Sequence, residues 1–123
     1  MKYLVLIYRN PESRQMWEAM SATDRDTGLD VYRELNAELA ASGELVATEA
    51  LTYPEDGRQV IRRPDGSIAS DGPYAEVKEH LAGFYLLDVA GLDRAVQIAG
   101  RIPEADMGLV EVRPVLDPAV LGL

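Results

Sequence analysis

Cysteine is absent from the 123 residues, which excludes disulfides, thiol nucleophiles and thiolate-ligated zinc or iron–sulfur centres. Histidine occurs once, so no paired-histidine metal site can be built, and HExxH and EF-hand spacings are also missing. GxGxxG, a P-loop and GxSxG are absent, which argues against Rossmann, NTPase and α/β-hydrolase chemistry. Basic side chains are scarce: twelve Lys and Arg against twenty-one Asp and Glu leave a net charge of -9. A field of that sign repels a phosphate backbone, and no basic patch threaded with aromatics offsets it, so direct nucleic-acid binding is not expected. Long apolar runs are lacking too; none approaches the ~20 residues that span a bilayer. The opening run "KYLVLIY" stops at Arg9-Asn10-Pro11, short for a signal core, and no small-residue cleavage site follows. The expectation is a soluble intracellular protein with no membrane partner.

What is present suits one domain over 1–123, with 47% hydrophobic residues supplying a core. "KYLVLIY" (2–8) reads as a strand buried on both faces. The linker 9–20 carries Pro11 and Trp17 and reads as a turn or short helix packed by the indole. Ser21 with Asp24 forms a capping-type start, Leu29, Tyr32, Leu35 and Leu39 recur at helical spacing, and Gly43 is a stop. A helix is predicted over 22–42. Strands follow at 44–51 and 58–63, and Pro64-Asp65-Gly66 turns the second of these into 67–70 as a hairpin. A strand at 84–90, an amphipathic helix at 92–102 and an edge strand at 109–115, marked by Pro114, complete the chain.

The order β-α-β-(hairpin)-β-α-β on a short chain predicts an α+β fold, a ferredoxin-like sandwich with an antiparallel sheet and two helices on one face. Alternation in the first strand points Tyr3, Val5 and Ile7 one way and Leu4, Leu6 and Tyr8 the other, and both sets are apolar. Two helices cover one face, and the other is a patch larger than a monomer ordinarily exposes. A homodimer packing sheet against sheet removes it. In the last strand Val110 and Val112 are expected to meet the helices, with Leu109, Glu111 and Arg113 on the partner side. Leu45, Ala47 and Glu49 are placed with them by the same alternation.

The densest titratable chemistry lies in "DGPYAEVKEHLAGFYL", residues 71–86. This stretch resembles the signature of the YCII-related DGPF-motif family, which runs roughly DGPFAETKEQLGGFYL. The "KYLVLIY" opening, "SGELVATEAL" and "VEVRPV" are also similar to that family. The resemblance implies a dimeric α+β barrel and a cytoplasmic bacterial protein without a tightly held cofactor. It also implies a neighbourhood with extracytoplasmic-function sigma factors, without naming a biochemical activity. Tyr74 replaces the usual phenylalanine, and His80 a common glutamine. The wider group has been proposed to use a histidine–aspartate pair, onto which His80 does not map by position.

Turn chemistry alone explains Asp71-Gly72-Pro73, which aim the chain into the next strand. The functional alternative is that the turn sets Asp71 and Glu76 beside a pocket, with His80 as the acid–base group, because its unperturbed pKa lies near neutrality. Asp71, Glu76 or Glu79 would orient the imidazole; against this stands a partly exposed loop histidine, or one satisfied by a nearby carboxylate with no reaction involved. The ligand-contacting candidates are Tyr8, Gly72, Pro73, Tyr74, Lys78, Glu49, Glu111 and Arg113; an Arg fork suits a carboxylate. The simpler readings make Lys78 an ion-paired surface residue and set the Glu and Arg side chains in a Glu–Arg pair across adjacent strands. Two functions compete: a small enzyme acting on an organic molecule in a barrel pocket, and a non-catalytic ligand-binding or regulatory protein. No metal is expected in either.

Overall fold

Local capping fixes the longest helix. Ser21 accepts a hydrogen bond from the Asp24 amide, and Gly43 ends the helix at φ 79°, a left-handed conformation that costs glycine little. The computed structural model describes residues 1–72 and 78–123, with Asp71 through its backbone alone. Its elements are β1 (Lys2–Arg9), α1 (Pro11–Ala19), α2 (Ala22–Ser42), β2 (Leu45–Ala50), β3 (Gln59–Arg62), β4 (Ile68–Asp71), β5 (His80–Asp88), α3 (Leu92–Ala99) and β6 (Val110–Pro114). The predicted linker helix forms as α1, with Pro11 in its first turn and a reciprocal cap between Asn10 and Ser13.

The main sheet has four strands in the order β2-β5-β1-β6, every neighbouring pair antiparallel. This is the expected ferredoxin-like arrangement, with the β3–β4 hairpin inserted between β2 and β5 as a separate two-stranded sheet. Both crossover helices pack on one face. Tyr3, Val5 and Ile7 of β1 and Tyr85 and Leu87 of β5 meet Leu35 and Leu39 of α2 and Ala95 and Ile98 of α3 in one cluster. Val110 and Val112 pack against it as predicted. Each large apolar side chain so buried contributes about 1.5–3 kcal/mol relative to exposure, and Val5, Leu87 and Ile98 are all 0% exposed.

Two irregularities correct the sequence reading. Leu45 pairs with Leu87 and Ala47 with Leu86, so Val46 is an extra residue in β2. That bulge returns Leu45 to the helix-covered side, where it packs against the core, while Ala47 and Glu49 stay on the other face. The fifth strand starts at His80 and not at Phe84, which places Gly83 inside it. A Cβ on Gly83 would lie 2.8 Å from the Glu49 carbonyl oxygen, so glycine lets β2 approach β5.

The helices depart in detail. Leu29 is 39% exposed and Leu92 49%, so neither joins the core that their spacing suggested. α3 stops at Ala99, and Ile102 is buried beyond its end. The helix-free face carries Leu4, Leu6 and Tyr8 from β1, Phe84 and Leu86 from β5, and Glu111 and Arg113 from β6. Leu109, just before β6, is already buried within the single chain. Among the described residues, no helix is long and apolar enough to cross a membrane.

Candidate functional site

A single bulge sorts the candidate residues onto two sides of one sheet end. Ile7 pairs with Gly83 and Tyr8 with Leu81, leaving Ala82 unmatched; Arg9 then pairs with His80. Tyr8 keeps to the helix-free side with Leu4 and Leu6. Arg9 follows Ile7 to the helix-covered side, and His80 sits opposite it.

On the helix-free side the Tyr8 hydroxyl donates to Glu111 Oε1 at 3.2 Å. Burial pushes the phenol's pKa up, and the Glu111 charge and hydrogen bond push the same way; nearby Arg113 opposes and Glu79 adds a small increment. Tyr8, Glu111, Arg113 and Glu79 therefore form one electrostatic neighbourhood. Leu6 pairs with both Glu111 and Phe84 on this face, and Leu4 and Leu86 continue the apolar strip away from Tyr8. Glu49 shares this face opposite Phe84. The expected Glu–Arg pair does not form among the described residues. Strand order explains part of this: β2 and β6 are the two edges, so Glu49 and Arg113 are three strand spacings apart, roughly 14 Å at ~4.8 Å each. Glu111 instead takes the tyrosine hydroxyl.

On the helix-covered side, His80 is half-buried and lies in the neighbourhood of Glu55. Glu55 is held below the usual carboxylate range chiefly by Arg14, with His80 a lesser cause. Arg14 stacks 3.6 Å from the Tyr53 ring centroid while bonding Glu55 at 2.7 Å and Glu18 at 3.0 Å. The Arg9 guanidinium lies 4.7 Å from the same ring. Sequence reasoning did not select Arg9, Arg14, Tyr53 or Glu55. Their one legible signal was an arginine closing a buried strand.

The remaining candidates are more dispersed. Lys78 is exposed. The Gly72 carbonyl accepts from the Gln59 amide at 3.2 Å and closes the hairpin, so its observed part is architectural. Asp71 ends β4 opposite Gln59, and its side chain lies outside the described residues, as do Pro73, Tyr74 and Glu76 entirely. Among the described residues, no group of three or more His, Asp or Glu side chains is placed to hold a metal ion.

A family model described as the YCII-related domain matches residues 1–118. An uncharacterised protein of Rhizobium meliloti is 38% identical over 120 residues, covering 93% of this chain and 91% of the relative. Among solved structures, the chain resembles 5-chloro-2-hydroxyhydroquinone dehydrochlorinase from Burkholderia phenoliruptrix, determined with 2,5-dihydroxybenzoquinone. That likeness covers 94% of each chain at 14% identity and a TM-score of 0.48, too loose to bear on this chain's chemistry.

Proposed function

This chain belongs to the YCII-related family, and on that premise we propose that it binds a small organic molecule on the helix-free face of its sheet, at the Tyr8 end. A second copy of the chain closes over that face, completing the dimeric α+β barrel expected for the DGPF-motif members of the family. The observation that carries this reading is the Tyr8–Glu111 hydrogen bond, a polar pair at one end of an apolar strip of Leu6, Phe84, Leu4 and Leu86. Such a surface suits a ligand with an apolar body and one polar group, because the apolar strip contributes burial while the phenol, carboxylate and Arg113 orient the polar end. Glu49 lines the same face further across.

An enzyme form assigns proton transfer to His80 with Asp71 or Glu76, and ligand contacts to Gly72, Pro73, Tyr74 and Lys78, which sets the chemistry at the same sheet end but across the sheet from Tyr8. Binding without turnover is favoured by one observation: His80 lies opposite Arg9 on the helix-covered side, away from the Tyr8–Glu111 pair. A panel of small aromatic and aliphatic metabolites, screened for binding and for turnover, separates the two. If the protein binds, Tyr8→Phe should weaken the ligand several-fold; unchanged affinity in that variant removes the helix-free face as the site. Turnover that disappears in His80→Ala supports the enzyme form, and binding with no turnover of the bound compound supports the other.

A further inference from the structure

The helix-covered side of the same sheet end carries a second arrangement, separate from the Tyr8 face. Two guanidinium groups share one aromatic ring, at 3.6 Å for Arg14 and 4.7 Å for Arg9. Their charges are treated differently. Arg14 is neutralised by Glu18 and Glu55. Among the described residues, Arg9 has no carboxylate within ion-pair reach, in a protein whose net charge is -9. Among the described residues, two nearby carboxylates are committed elsewhere: Glu55 to Arg14, and Glu104 to the Tyr32 hydroxyl. Arg9 lies near Tyr32, whose hydroxyl is pushed to a high pKa by burial first and by Glu104 next, with Arg9 opposing. Arg9 is half-buried, its guanidinium against the Tyr53 ring and near Tyr32 of α2, and His80 is its partner across the strand pair.

We propose that Arg9, steadied by the Tyr53 ring and flanked by His80, is a binding site for a small carboxylate ligand on the helix-covered side of the sheet. Stacking orients a guanidinium while leaving its in-plane N–H fork available, and that fork matches the two oxygens of a carboxylate. His80 adds a ring N–H at the neighbouring position. Partial burial strengthens the pairing relative to a freely solvated arginine.

The site is tested by titrating the whole protein with sodium acetate, and in parallel with sodium chloride at matched ionic strength, while NMR follows Arg9 Nε–H and the His80 ring. The expected result is a saturable shift with acetate alone, weakened about tenfold in Arg9→Lys, which keeps the charge but lacks the fork. Arg62→Ala removes a positive charge from the exposed β3 strand and should leave the affinity unchanged. A shift that never saturates, or one equal in wild type and Arg9→Lys, overturns the proposal. Tyr53→Leu provides a second reading if the Arg9 exchange loosens the strand end. It removes the ring that steadies the fork and should also weaken acetate; undiminished binding there overturns the proposal as well.

Discussion

The two faces of the main sheet are built from the same strands and read almost alike in hydropathy, yet they end up in different circumstances. On one, Tyr3, Val5, Ile7 and Leu87 are buried by α2 and α3. On the other, Leu4, Phe84 and Leu86 stay half-buried in the single chain, and polar groups enter at one end as Tyr8, Glu111 and Arg113. The covered face holds the fold together. The helix-free face keeps apolar area in reserve, together with a polar pair, and such a combination is suited to recognition. A face need not be more polar to be functional; it has to be apolar without an intramolecular partner.

Substitutions can break this contrast or sharpen it. The largest effect is expected from Leu87→Ala, at a position 0% exposed on the covered face. It should lower unfolding free energy by about 2–5 kcal/mol in denaturant titration, at any protein concentration. Gly83→Ala comes next: a Cβ 2.8 Å from the Glu49 carbonyl forces β2 away from β5, with an expected cost of about 1–3 kcal/mol. On the helix-free face, Leu4→Asp should cost less folding stability in the monomer, but should abolish self-association in sedimentation. A loss as large as that of Leu87→Ala, with assembly intact, would erase the distinction between the faces. Leu6→Asp should impair both properties, because Leu6 is 8% exposed even in the single chain.

The smallest effect lies away from both faces, where Arg94 joins α3 to the start of β2 by donating Nε and Nη2 to the two oxygens of Glu44, each at 2.9 Å. Those bonds, helped by Ser42, lower the Glu44 pKa from its ordinary 4.5 to about 2. With a depressed folded-state value, the unfolded chain binds more protons between these pH values. The contribution is therefore complete above about pH 4.5 and disappears as pH falls through about 2. Thermal melts of wild type and Glu44→Gln should differ slightly at neutral pH and converge toward pH 2; a difference that grows on acidification would contradict this role.

Much of the architecture was legible because its signals are local. Ser21 and Gly43 bracket α2 through hydrogen bonds and a dihedral preference that need no tertiary partner. The alternation of β1 exposed both faces at once, and the turn Pro64-Asp65-Gly66 does join β3 to β4, with Gly66 at φ 88°. The bulges were not legible. Val46 and Ala82 suit either strand face, so an extra residue at those points leaves no mark in a hydrophobic pattern, yet each changes the side on which its neighbours lie. The same limitation governed the candidate site. Tyr8, Glu111 and Arg113 were identified and do share a neighbourhood, because period-two alternation placed them. The stacking of Arg9 and Arg14 on Tyr53 has no sequence spacing to reveal it, since the three residues come from β1, α1 and the turn after β2.

The most direct measurement of the difference between the faces is the mass of the intact protein in solution. If the helix-free face is a surface held for a second copy, sedimentation equilibrium at micromolar concentration will give twice the 13.5 kDa chain mass. A mass of 13.5 kDa throughout that range would mean that Leu4, Phe84 and Leu86 remain open to water, and the closed barrel proposed for ligand binding would be contradicted.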